Sequence, residues 1–203
     1  MNTKNMLKKP KQKRSRERVQ LILEATCNVL EESGIKTLST NSIAARGGIP
    51  VSSIYQYFPD KEAILIAVYE DYLEKIRAAY DEFDTEENRN LPWQDFCVLL
   101  TKNMAAAETR DHIDGELETA LGLYPKLMEV DLRHEDQMAE RIVDSFKNLG
   151  SSWSRPKLKR LAHYLYAINS TIWTYRSRNN PPKNETFEWY SASFLAVAGK
   201  CFE

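Results

Sequence analysis

Apolar positions recur at three- and four-residue spacing along nearly the whole chain, and no stretch alternates apolar and polar long enough to predict a strand. The first helix is predicted over about 15–33, with Val19, Ile22, Leu23, Thr26 and Leu30 on one face. Gly34 suits a left-handed residue that ends it. A short second helix starts from an N-cap at Ser39 or Thr40, carries Ile43, Ala44 and Ala45, and breaks at Gly47-Gly48. A third covers about 51–57. Pro59-Asp60 interrupts the pattern, and Asp60 caps a fourth helix that runs to about Phe83. Its apolar side is Ala63, Ile64, Ala67, Val68, Tyr72 and Ile76.

A polar stretch over 84–90 follows. Five more helices are predicted at about 93–107, 113–123, 125–150, 156–177 and 184–201. The expected fold is all-α, with about nine helices in two parts. Residues 1–61 form a helix-turn-helix domain with a basic arm, and residues 62–203 form a helical body.

Two short helices joined by a glycine-containing turn are the outline of a helix-turn-helix unit. The first helix of such a pair crosses the DNA backbone, and the second enters the major groove. Here Gly48 supplies the turn's positive φ, and Ile49 and Ile54 fill the space between the helices. The recognition helix then presents Val51, Ser52, Ser53, Tyr55 and Gln56 outward. Gln56 can pair bidentately with adenine, Ser52 and Ser53 can meet any base edge, and Val51 or Pro50 can touch a thymine methyl. Thr40 and Ser42 stand at a helix start that suits a phosphate. Lys61 and the Tyr57 hydroxyl can meet further phosphates. Tyr55 and Tyr57 also admit a second reading as core aromatics, and Phe58 is expected to be one.

Charge strengthens this picture. The chain's formal net charge is −1, but residues 1–61 hold 11 Lys/Arg against 5 Asp/Glu. The head therefore carries +6 and the remainder −7. A basic head on an acidic body points to a polyanion as the head's partner. Eight of the eleven cations precede Val19, so a solvated basic tail is the competing account. As an arm, 8–18 would add nonspecific affinity and reach toward a minor groove.

The run Thr40-Asn41-Ser42-Ile43-Ala44-Ala45-Arg46-Gly47-Gly48-Ile49, then Ser53-Ile54-Tyr55-Gln56-Tyr57-Phe58, then Asp60-Lys61-Glu62-Ala63-Ile64-Leu65 resembles the signature of the tetracycline-repressor (TetR) family. The resemblance covers about residues 16–75. It implies a three-helix DNA-binding head, a variable helical body that takes a small ligand, and a homodimer. By family position Thr40, Arg46, Val51, Ser52, Ser53, Tyr55, Gln56, Tyr57 and Lys61 would face DNA. Two departures touch sequence preference. Ile49-Pro50 stands where the family usually has Val-Ser, and Ser52 stands where it often has glycine. Proline is expected at the first helical position, where its missing N–H is no loss.

The body carries two further apolar stripes. Leu158, Leu161, Leu165, Ile168 and Ile172 form one, and Phe187, Tyr190, Phe194, Val197 and Cys201 form the other. Two such helices from each subunit could build a four-helix dimer interface, for which Leu161, Leu165, Ile168, Ile172, Tyr190, Phe194 and Val197 are the candidates. Burial within one subunit is the competing account. A cavity for an apolar or aromatic effector would draw on Phe96, Leu100, Met104, Leu121, Tyr124, Met128, Tyr166 and Trp173, with Asn103, His134, Asn169 or Arg176 as polar handles. Such stripes are more often plain core.

Other chemistry is expected to be absent. His112, His134 and His163 are scattered, and Cys27, Cys97 and Cys201 show neither metal-ligand spacing nor a disulfide framework. No phosphate loop, dinucleotide fingerprint, HExxH or Gly-x-Ser-x-Gly occurs, so neither an enzyme nor a cofactor is expected. No apolar run approaches the roughly 20 residues of a membrane span, and the polar start does not read as a secretory signal. A cytoplasmic regulator is expected. The alternative is a helical interaction module whose head docks on protein.

Overall fold

The computed structural model describes residues 7, 12–108, 113–179 and 181–203, without the side chains of Glu108, Asp114, Trp173, Ser177 and Lys183. The expectations for His112, Trp173 and most of the basic arm lie outside the described residues. Ten α-helices and two 3-10 turns account for the regular structure, with no strand among the described residues. In chain order the helices are α1 Lys13–Ser33, α2 Thr40–Gly47, α3 Val51–Tyr55, α4 Lys61–Phe83, α5 Glu86–Arg89, α6 Trp93–Glu108, α7 Asp114–Leu123, α8 Pro125–Asn148, α9 Arg155–Asn179 and α10 Lys183–Ala198. None of the described helices is long and apolar enough to cross a membrane.

Helix α5 is the element missing from the sequence pattern. It is one turn without a buried residue, so it has no apolar period to detect. The Thr85 hydroxyl accepts from the Asn88 amide, acids fill its first turn, and Arg89 closes it with a bidentate grip on Asp84 (2.7 and 2.8 Å).

Two compact units emerge, Met1–Glu74 with His112–Val130, and Lys75–Asp111 with Asp131–Glu203. The expected boundary at 61/62 falls inside the first of these. Helices α4 and α8 each contribute residues to both units.

The first unit is built on a continuous apolar core. Ile22 and Leu30 of α1, Ile43 of α2, Ile54 of α3, Phe58, and Ile64 and Leu65 of α4 are all fully buried. Ile113 just before α7, Leu117 and Ala120 of α7, and Leu127 and Val130 of α8 complete the same cluster. Burying a side chain such as Phe58 stabilises by roughly 1.5–3 kcal/mol, so segment 113–130 is part of what holds the head.

The second unit is a helical pack around Phe96, Leu100, Phe146, Leu158 and Leu165. Phe83 meets Phe96 edge-on at 5.1 Å, and Trp93 stacks on Phe202 at 4.9 Å. A Cβ on Gly199 would stand 3.0 Å from Trp93, so the small residue there serves a close approach within the chain. Several buried polar groups of this unit are paired. The Tyr80 hydroxyl meets Ser145 Oγ at 2.9 Å, and burial raises its pKa well above the usual phenol range. His134, 3% exposed, faces the Arg77 guanidinium through Nδ1 at 3.1 Å and meets Tyr166 edge-on. Burial, reinforced by Arg77 and Arg141, pushes its imidazole down to about 3. Cys97 and Cys201 are buried free thiols, and burial pushes Cys97 up to about 12.

Candidate nucleic-acid interface

The turn between α1 and α3 is fixed by local hydrogen bonds that the sequence dictates. Ser39 is the N-cap of α2. Its hydroxyl accepts from the Ser42 amide at 3.0 Å, and the Ser42 hydroxyl accepts from the Ser39 amide at 2.9 Å. Gly48 ends α2 in the left-handed region (φ 59°, ψ 34°), where a side chain is disfavoured. Pro50, expected at the first helical position, is instead the N-cap of α3, with φ −61° and ψ 138°. Its ring holds an extended entry into α3, and no side chain caps that helix. Asp60 Oδ1 accepts from the Ala63 amide at 2.8 Å and starts α4.

Gly34 departs from expectation. It has φ 75° but ψ 171°, outside the left-handed helical region and in a conformation open essentially only to glycine. It turns the chain into the 3-10 turn Ile35–Thr37 that leads to α2.

The expected DNA-facing residues separate into three groups. Ser52, Tyr55 and Gln56 are exposed on α3 and its end, with Pro50 beside them and Asn41 exposed on α2. Tyr55 is 49% exposed, and its hydroxyl lies 3.1 Å from the Thr40 hydroxyl, tying the two helices together on this outer face. Thr40, Ser42, Val51, Ser53 and Lys61 are half-buried. The Ser42 hydroxyl is occupied by the capping box and the Thr37 carbonyl, and Lys61 Nζ donates to the Leu38 carbonyl at 3.1 Å. Tyr57 is buried, 7% exposed, in the core beside Phe58. Its ring packs inward because it follows the α3 turn on the side of Ile54.

Arg46 is exposed on α2 and grips Glu32 of α1 through Nε (3.1 Å) and Nη2 (2.7 Å). Both side chains are about half exposed, 43% and 54%. A surface pair of this kind is worth about 0.2–1 kcal/mol, so a phosphate can take Arg46 over at small cost. The partners of Arg46 and Lys61 lie 14 and 23 residues away, beyond any local sequence signal. The Leu7 amide donates to the Tyr57 carbonyl at 2.8 Å, which places that residue beside the turn that follows α3.

Body candidates fall in both units. Phe96, Leu100 and Met104 are buried in the second, and Tyr166 there is half-buried with its hydroxyl donating to Asp131 at 3.1 Å. Leu121 and Tyr124 are half-buried in the first unit, and Met128 is exposed. Asn169 and Arg176 line a small open cleft with Ala105, Ile172, Thr186, Phe187 and Tyr190. Of the candidate dimer residues, Leu165, Tyr190 and Phe194 are buried within the chain, and Leu161, Ile168, Ile172 and Val197 are half-buried. The outward residues of α9 and α10 are instead Tyr164 (59% exposed), Tyr175 and Trp189. Among the described residues, no three of His, Cys, Asp and Glu converge as a metal site.

Residues 22–68 match the family profile described as bacterial regulatory proteins, tetR family. Over 66 residues the chain is 32% identical to the HTH-type transcriptional repressor KstR of Mycolicibacterium smegmatis, a match that spans about a third of each protein (32%). The fold extends much further. A TetR transcription regulator from Haloarcula marismortui superimposes with a TM-score of 0.76 at 13% identity, covering 92% of this chain and 98% of that one. A multidrug binding protein, EbrR, crystallised with imidazole, gives 0.68 at 17% identity over 89% and 94% of the two chains.

Proposed function

Because the chain belongs to the tetR family of bacterial regulatory proteins, we propose that it is a cytoplasmic transcriptional repressor. It binds a pseudo-palindromic operator as a homodimer and leaves it when a small, largely apolar or aromatic effector binds the body. The observation that carries the reading is the outer face of α2 and α3. Thr40, Ser52, Tyr55 and Gln56 stand together in a +6 head, over a core that contains Ile43, Ile54 and Phe58.

Each polar group on that face has a task. Gln56 reads adenine, Ser52 meets a neighbouring base edge, and Pro50 or Val51 touches a thymine methyl. Thr40 and Tyr55, paired through their hydroxyls, meet a phosphate, and Arg46 exchanges Glu32 for another. Ser53, Ser42, Lys61 and Tyr57 are more enclosed and support the face from behind.

Dimerisation is favoured by the outward side of the last two helices. Tyr164, Tyr175 and Trp189 are large exposed apolar residues, and Ala192, Ser193 and Ala196 are small exposed ones. Such a mixture lets helices of a second copy approach closely. Two copies would hold their heads about one DNA turn apart, roughly 34–36 Å. Repression is the sign suggested by KstR, and a small-molecule effector is the class suggested by EbrR, a multidrug binding protein. Helix α4, which like α8 contributes to both units, is a covalent route by which effector binding would change the spacing of the two heads.

Anisotropy titrations of random duplex DNA at rising salt test the reading. Binding that falls steeply with log[salt] is expected. No binding to any duplex would sink the proposal and favour a protein partner.

A further inference from the structure

The linker between α1 and α2 is held by a side chain 81 residues away. Glu116 of α7 accepts the Ile35 amide at 2.6 Å through Oε2, a short charge-assisted bond. The geometry that permits it is Gly34. At φ 75° this residue aims the next amide outward, and a Cβ there would stand 3.1 Å from the same Glu116 oxygen. The other end of the linker is held too. Lys61 Nζ donates to the Leu38 carbonyl at 3.1 Å, and Ser42 Oγ reaches back to the Thr37 carbonyl at 3.3 Å. A carboxylate therefore grips the linker's first free amide and an ammonium its last carbonyl. Between them only Lys36 and Thr37 are exposed. Ser39, the residue that caps α2, follows directly.

We infer that Glu116 is a positioning residue for DNA reading: it fixes the Gly34–Ile35 corner and thereby the seat of α2 and α3 on the head. This rests on the DNA-reading function proposed above. Glu116 lies on α7 beside Leu117 and Ala120, which are buried in the head's core, so the carboxylate and the apolar face of α7 act on the same structure. A second tie runs parallel, Lys126 Nζ to Glu62 at 3.3 Å, between the first turns of α8 and α4. That pair is exposed on the lysine side and is the weaker of the two. Loss of the Glu116 bond leaves a buried Ile35 without its amide partner and frees the corner that aims α2.

The test uses the full-length protein, a duplex enriched by the wild type from a random library, and an unrelated duplex of equal length. Glu116→Ala and Glu116→Gln remove the same charge, but glutamine keeps an acceptor for Ile35. If Glu116 positions the head, Glu116→Ala lowers the specific-to-nonspecific affinity ratio about tenfold, the size of one lost charge-assisted hydrogen bond. Glu116→Gln then stays within about threefold of wild type. A ratio unchanged in Glu116→Ala, or lowered equally in both variants, overturns the inference. Hydrogen exchange of the wild-type Ile35 amide decides the matter if Glu116→Ala does not fold. Protection like that of core amides supports the bond, and exchange at the rate of an open loop overturns it. If the wild type enriches no duplex, the DNA-reading proposal itself fails, and the Ile35 amide still reports on the bond alone.

Discussion

The proposed reading face around α3 and the pair α9–α10 use the same helical periodicity to different ends. Around α3, apolar and polar residues have separate tasks. Ile43, Ile54 and Phe58 are inside, and Ser52 and Gln56 are outside. In α9 and α10, apolar residues serve both sides. Leu158, Leu165, Tyr190 and Phe194 are buried, while Tyr164, Tyr175 and Trp189 are exposed. A hydrogen-bonding group on a surface names its partner's chemistry, because donors and acceptors must be matched. An apolar stripe carries no such label and packs equally well on its own subunit or another.

The largest expected effect breaks the inner half of that comparison. Phe58→Ala leaves a cavity under α3 and should cost about 3–5 kcal/mol, seen as a large loss of thermal stability with duplex binding abolished. In the body, His134→Gln sharpens the contrast, since His134 is polar yet interior. An unfolded histidine takes its proton near pH 6.5, and the folded one near 3. The unfolded chain therefore binds more protons across that window, and stability falls as pH drops from 6.5 toward 3. Glutamine still accepts from Arg77 but does not titrate. Urea unfolding at several pH values should show the acid-side loss reduced by on the order of 2–4 kcal/mol.

Trp189→Glu tests the outer half of the α9–α10 pair. A desolvated interface tryptophan carries about 2 kcal/mol or more, so sedimentation should show monomer with little change in melting temperature. A dimer unchanged by this substitution would place the interface elsewhere. Gln56→Ala addresses a single base. Discrimination at one position should fall by about 1–3 kcal/mol, with stability unchanged because the side chain is exposed. The smallest effect belongs to Glu32→Gln, which releases Arg46 for a phosphate. Affinity should rise by about 0.2–1 kcal/mol on any duplex, with no change in sequence preference.

How much of this was legible in the sequence follows from the same contrast. Ile43, Ile54, Phe58 and Gly48 were readable because each position admits few alternatives. Tyr57 admitted two readings, a phosphate contact and a core aromatic, and it is buried; the Tyr55-Gln56-Tyr57-Phe58 run does not say where the turn after α3 directs each ring. The intrachain partners of Arg46, Lys61 and Ile35 were not readable, because Glu32, the Leu38 carbonyl and Glu116 meet them only after folding. The boundary at 61/62 assumed that the head ends where its motif ends. The core instead takes in Ile113, Leu117 and Leu127, whose apolar spacing is that of any body helix. In α9 and α10 the stripes were visible but their sidedness was not, as Leu165, Tyr190 and Phe194 show.

The central claim is that two copies of the α2–α3 face read DNA together, and selection from a random duplex library tests it most directly. The wild type should enrich a two-fold symmetric site with half-site centres about 10 base pairs, or a multiple, apart. Repeating the selection with Gln56→Ala should erase preference at one matching position in each half. An enriched site without symmetry, or no enrichment at all, would contradict the account.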